Sequence, residues 1–132
     1  MNKNPFKKQA GMMLIEVLIA ILLFSIGILG LVALQAVSTQ NSVNAGERSI
    51  AANLANDMIS QILLRNSTDT NTAPLNTEIT NWQTRVAAAL PNAAGTVATI
   101  NEVATVTITW RSPSKKATDN QNRLETSVVI TP

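Results

Sequence analysis

Cysteine and histidine are both missing from the 132 residues. Without cysteine the chain has no disulfide, no thiolate nucleophile and no Cys-based metal site. Without histidine it lacks the commonest general base and the commonest metal ligand. Charge is also scarce, at 14% of residues, and the five glycines build no phosphate-cradling loop. No nucleophile–base set can be assembled from what is left. An enzyme is therefore not expected, and no catalytic residue, cofactor or metal ligand is assigned.

What the chain has instead is apolar and unevenly placed. Hydrophobic residues make up 45% of it, and from Gly11 to Leu34 the only strongly polar side chains are Glu16 and Ser25. Beyond that block, residues 35–132, about 98 residues remain, rich in Thr, Asn, Ser and Ala. They suffice for one compact but marginal core. The isoelectric point of about 9.4 does not belong to this part. Lys3, Lys7 and Lys8 precede the block with no acid among them, and the other 121 residues carry seven Lys/Arg against eight Asp/Glu. The body of the protein is nearly neutral, which argues against nucleic acid as a partner.

Met12 to Leu34 is 23 residues, about 34 Å of α-helix at 1.5 Å per residue. That length crosses a hydrocarbon core of about 30 Å, and a domain this small has no interior able to surround such a helix. The lysines lie at the N-terminal end, and the first charges beyond the block are Glu47 and Arg48. The positive-inside rule then leaves the N-terminus cytoplasmic and everything after about Gln35 on the other side. A secretory signal has an apolar region of about 7–15 residues followed by a small-residue cleavage site. Here the run is longer, and Leu31-Val32-Ala33-Leu34-Gln35 offers no such site. The small pair Ala10-Gly11 comes before the run, so the apolar block is expected to be kept.

Glu16 is the informative residue. A carboxylate inside a spanning helix costs about 2.5–3.5 kcal/mol even on insertion scales, and is a functional hypothesis by default. Its surroundings read Lys7-Lys8-Gln9-Ala10-Gly11-Met12-Met13-Leu14-Ile15-Glu16-Val17-Leu18. A short basic leader ending in Gly, then a hydrophobic residue, then Glu five positions after the Gly, resembles the class III signal of a type IV prepilin. The resemblance implies cleavage after Gly11 by a membrane-bound prepilin peptidase, and N-methylation of Met12 as the new first residue. It also implies that Glu16 docks on the N-terminal amine of a neighbouring subunit during filament assembly. A buried carboxylate is tolerable where a buried cation meets it, and cleavage would create that cation. The chain departs from the family's commoner pattern in having Met12 in place of Phe and Ala33 where many major pilins have Pro. Gly27 and Gly30 weaken the helix by about 1 kcal/mol each in water, and small residues also let apolar helices approach closely.

Beyond the block the helical period continues. Ile50, Leu54, Met58 and Ile62, with Ala51, Ala55, Ile59 and Leu63 alongside, predict a one-sided helix to about Arg65. No proline occurs between Phe6 and Pro74, so one helix of about fifty residues is expected, with Gly46 and the polar stretch 38–44 as the place for a bend. Residues 66–74 form a breaker-rich linker. A short helix from about Thr77 to Leu90, with Ile79, Trp82, Val86 and Leu90 on one face, ends at Pro91. The period then falls to two over Val103 to Trp110 and Leu124 to Thr131, with a shorter strand around Thr96 to Ile100. Residues 112–122 form a polar loop. Trp82 and Trp110 read as core residues. The fold class is α+β, a helix laid on a three- or four-stranded antiparallel sheet, and the resemblance implies the ladle shape of pilins.

The runs Ile15-Glu16-Val17-Leu18-Ile19-Ala20, Phe24-Ser25-Ile26-Gly27-Ile28-Leu29-Gly30-Leu31 and Ala51-Ala52-Asn53-Leu54-Ala55-Asn56-Asp57-Met58 narrow the match. They are similar to the minor pilins called type IV pilus modification protein PilV. The absence of Cys excludes the C-terminal disulfide loop of many major pilins. The resemblance thus implies a leader over 1–11, a transmembrane and filament-core helix over 12–34, and a periplasmic or extracellular head over 35–132. The expected role is that of a minor pilin, a structural subunit that helps prime pilus assembly and sits at the tip, in a pilus serving functions such as cell adhesion. Its implied partners are the prepilin peptidase, other minor pilins, the major pilin and, before assembly, the inner membrane. A minor pseudopilin of a type II secretion system is the alternative. A third reading makes Arg111, Lys115, Lys116 and Arg123 a DNA- or surface-binding patch; offset by Asp119 and Glu125, they read first as a solvated loop.

Overall fold

The computed structural model describes residues 6–67 and 69–131, with side chains from Gly11 onward. Helix α1 runs Phe6–Arg65 and α2 runs Leu75–Ala89, followed by β1 (Ala94–Ile100), β2 (Val103–Trp110) and β3 (Asn122–Val129). The class is α+β, as expected. The chain divides into two compact units, Met1–Asn41 and Ser42–Pro132. The first five residues of the expected leader, Lys3 among them, lie outside the described residues, as do the side chains of Lys7 and Lys8.

The described residues of the first unit are all helical. Every residue from Gly11 to Asn41 is exposed, including seventeen large apolar side chains between Met12 and Leu34. Burying one such side chain is worth about 1.5–3 kcal/mol, so hydrating all of them forfeits roughly 25 kcal/mol or more. That exceeds the whole stability of an ordinary domain, about 5–15 kcal/mol. The helix is compatible with a membrane span by length and composition. Two of its hydroxyls bond back into the helix: Ser25 Oγ donates to the carbonyl of Ile21 (2.8 Å) and Thr39 Oγ1 to that of Gln35 (2.9 Å).

The second unit has a core drawn from α1, α2 and the sheet. On α1 the buried stripe is Glu47, Ala51, Ala55, Met58 and Ile62, whereas Ile50 and Leu63 are exposed. The stripe is therefore rotated by about one residue from the ladder centred on Ile50 and Leu54. Its small alanines face the core and leave the volume to Met58 and Ile62. The helix continues unbroken through Gly46, as one helix to Arg65. It ends at Arg65, where Asn66 takes a positive φ of 46° and its N–H bonds the carbonyl of Leu63 (3.1 Å). Asn tolerates this left-handed cap.

In the linker, Asn71 N–H (3.0 Å) and Thr72 Oγ1 (2.7 Å) donate to the Asp69 carboxylate. These bonds, Thr72 first, hold Asp69 below the usual carboxylate range. A lowered folded value stabilises this turn above the ordinary carboxylate pKa and ceases to do so as pH falls through the folded value. The Asn71 amide is thus expected to lose hydrogen-exchange protection below the ordinary Asp range while core amides keep theirs. Unchanged protection there would rule out this role for Asp69.

The sheet is three antiparallel strands in the order β1-β2-β3. β1 and β2 join through Asn101 and Glu102, whose φ values of 49° and 65° are of the sign that a two-residue type I′ hairpin requires. Antiparallel register puts Gly95, Ile108 and Leu124 in one inward row and Val97, Val106 and Thr126 in the next. The threonines between them, Thr105, Thr107 and Thr109, fall on the outer face, so the imperfect alternation in the sequence is the pleat itself. β3 begins earlier than Leu124, because Asn122 pairs with Trp110. It also stops before Thr131, where the N–H of Ile130 turns to the carbonyl of Glu102 (2.8 Å).

Both tryptophans are core residues, at 0% and 1% exposure. Trp82 Nε1 donates to the carbonyl of Leu54 (2.8 Å), which fixes the ring against α1. Its edge fills the space over Gly95, where an added Cβ would meet Trp82 Cζ3 at 2.5 Å. A pinned indole has little room to yield. Gly95→Ala is expected to destabilise the fold by about 1–3 kcal/mol, lowering the melting temperature by at least about 4 °C. A calorimetric midpoint equal to that of the parent protein would contradict this packing.

Candidate functional site

From Gly11 to Gly46 the chain carries one ionisable residue, Glu16. It stands one helical turn after Met12, so the two share a face of α1. With Ile15 and Ile19 they line a shallow apolar hollow on the helix surface. Glu16 takes part in none of the ion pairs among the described residues, which are Arg65–Glu78, Arg85–Asp57 and Arg123–Glu125. Gly11 precedes Met12 directly, and a Cβ added there would meet nothing within 4 Å. The three site residues named from sequence therefore lie together within two turns of one helix. Among the described residues none provides a cation for the carboxylate.

A second shallow surface, one to four turns further on, is lined by Ala20, Leu23, Phe24, Gly27, Ile28 and Leu31. A Cβ at Gly27 or Gly30 would likewise find open space. No neighbour within the chain requires either glycine.

The second unit contains a polar cluster that sequence reasoning missed. Glu47 is 8% exposed, and its Oε2 accepts from Trp110 Nε1 at 3.0 Å. Ser112 Oγ meets the same oxygen and stands 3.1 Å from Asn44 Oδ1. Asn122 Nδ2 donates to Ser112 Oγ at 3.4 Å. The end of β2 and the start of the loop after it are thereby tied to α1. A carboxylate receiving two hydrogen bonds suits a site that is structural, since each bond to a charged group contributes about 1.5–3 kcal/mol. Glu47 lies four residues before Ala51, one turn back along the buried stripe, but its local sequence is mixed and does not mark it as buried.

The 112–122 loop is internally braced. Lys115 N–H bonds the carbonyl of Ser112 (2.9 Å), and Asp119 N–H that of Lys116 (3.0 Å). The Lys116 N–H in turn bonds Asp119 Oδ2 (2.9 Å). Lys115 Nζ donates to Asn122 Oδ1 (2.8 Å), and Arg123 pairs with Glu125. Among the described residues no group of three or more Asp or Glu side chains is placed to hold a metal ion. Comparison with protein-family models, curated proteins and solved structures finds no match.

Proposed function

We propose that this chain is a minor pilin of the type IV pilus class, resembling the PilV group. It is a structural subunit made as a prepilin, cut after Gly11 and carried into a filament by the helix that begins at Met12. The observation that carries this reading is the lone carboxylate. Glu16 stands on a helix whose apolar surface from Met12 to Leu34 is uncovered, and no described residue offers it a cation. A membrane accounts for the apolar surface but not for Glu16, which costs free energy there. A bundle of like helices accounts for both, if each helix starts with an amine that meets a neighbour's Glu16.

Before assembly the chain is a single-pass protein with its N-terminus cytoplasmic and residues 35–132 on the periplasmic side. After assembly it belongs to the pilus, with other minor pilins and the major pilin as partners. In this role the uncovered glycines at 27 and 30 serve close helix approach.

The processing step is the direct test. Co-expression with a prepilin peptidase is expected to remove residues 1–11, and intact-mass measurement reads the loss. Blocking cleavage with Gly11→Leu should restore the full mass. A full-length chain in the presence of a peptidase that cuts a control prepilin would refute the proposal.

A further inference from the structure

The second unit is electrically neutral, yet its charges are sorted. Residues 42–132 hold seven cations and seven anions. The end that contains Asn44 and Glu47 gathers five of the cations, Arg48, Arg111, Lys115, Lys116 and Arg123, with the anions Glu47, Asp119 and Glu125. The rest of the unit holds two cations and the four anions Asp57, Asp69, Glu78 and Glu102. Glu102 adjoins Val103, the opposite end of β2 from Trp110, about 23 Å of strand away.

The anions at the basic end are already engaged. Glu47 is buried under Trp110 and Ser112, Asp119 accepts from a backbone N–H of its own loop, and Glu125 pairs with Arg123. Four cations are left without an ion-pair partner among the described residues: Arg48, Arg111, Lys115 and Lys116. Lys115 is held by neutral acceptors, Asn122 Oδ1 and the carbonyl of Asn120 (3.4 Å), so its charge is positioned but not cancelled. Arg111 is half-buried, and its Nε is enclosed without an acceptor.

The root of this basic end is tied to α1 at Asn44 and Glu47. Whatever the disposition of the two units, Asn44 follows Leu34 by ten residues of one helix, about 15 Å. The headgroup layer on each side of a bilayer is about 5–7 Å deep, and surface potential extends about a further 8–10 Å at physiological salt. The chain therefore tethers the four free cations within the field of any anionic membrane that its apolar helix crosses.

We propose that the loop joining β2 and β3 is a membrane-surface contact, in which Arg48, Arg111, Lys115 and Lys116 engage anionic phospholipid headgroups while the apolar helix is in the bilayer. This rests on the reading of Met12 to Leu34 as membrane-spanning. It gives the sorted charge a task before assembly: the basic end rests on lipid and the acidic remainder faces away. Leaving the membrane then requires release of these contacts as well as withdrawal of the helix.

The test uses the full chain in lipid nanodiscs of phosphatidylcholine alone or mixed with phosphatidylglycerol, read by amide hydrogen exchange over residues 112–122. Exchange is expected to be about fivefold slower, or more, in the anionic discs, at about fivefold per engaged cation. High salt should abolish the difference, and Lys115→Gln with Lys116→Gln should remove most of it while core amides stay protected. Equal exchange in both discs would overturn the proposal. So would stronger protection by a short DNA duplex, which would assign the patch to nucleic acid. Resistance to alkaline extraction from both lipid mixtures reports the spanning helix separately, and its failure would remove the foundation for the contact.

Discussion

Glu16→Val is expected to insert into the membrane at least as well as the parent chain and to vanish from filaments. Valine is favourable at a position where a carboxylate costs about 2.5–3.5 kcal/mol on insertion scales, so the membrane step gains. Assembly should lose much more. Removing one partner of a buried charge pair leaves the other uncompensated, at about 3–5 kcal/mol. That corresponds to a factor of about a hundred or more in the docking equilibrium. Glu16 is exposed and has no ion-pair partner among the described residues, so the folded second unit should be untouched, and its melting midpoint serves as the control. Glu16→Gln preserves shape without charge and is expected to fail nearly as fully. Quantitative immunoblots of membranes and sheared filaments read both variants. Filament levels of Glu16→Val equal to the parent's would end the docking claim while leaving the membrane reading intact.

The second large effect is expected at Glu47. Truncation to Ala strips the acceptor from buried Trp110 Nε1 and removes the charged acceptor of Ser112 Oγ, which keeps Asn44 Oδ1. An unsatisfied buried donor costs about 1–3 kcal/mol and a lost bond to a charged group about 1.5–3 kcal/mol, so the combined loss is about 3 kcal/mol or more. In a unit of this size that lowers the melting temperature by about 12–24 °C. Glu47→Gln keeps one acceptor oxygen and is expected to lose less than half as much. The three surface pairs of the same unit give a contrast. Arg85 and Asp57 are half exposed at 2.7 Å, and Arg85→Ala should change stability by less than about 1 kcal/mol. If Glu47→Ala melts within about 4 °C of the parent, the polar cluster does not hold the sheet to α1.

These two glutamates show what was legible in the residues and what was not. Glu16 stands out because its neighbours are uniformly apolar over many turns, a contrast that needs no three-dimensional information. Glu47 sits in a mixed stretch, Asn44-Ala45-Gly46-Glu47-Arg48-Ser49, where a charged residue reads as surface. Its burial depends on Trp110, 63 positions away, and no local pattern reports such a pairing. The helix face was displaced for a related reason. Ile50 and Leu54 dominate the hydrophobic count, but the fully buried positions are Ala51 and Ala55, with Ile50 exposed and Leu54 only partly buried. Strand positions were read correctly from the Thr and Val alternation, while their ends were decided by hydrogen bonds from Asn122 and Ile130. The basic loop was visible as composition. That its anions are engaged while its lysines have no ion-pair partner among the described residues emerged only from the hydrogen-bond geometry.

The most direct measurement is mass spectrometry of this protein recovered separately from sheared filaments and from membranes of its host. A peptide beginning at methylated Met12 in the filament fraction is the expected result, and it would join processing, methylation and incorporation in one molecule. The processed form confined to membranes would contradict incorporation. An uncut peptide running through Gly11 into Met12 in both fractions would contradict the proposal at its root, because without cleavage there is no new amine for Glu16 to meet.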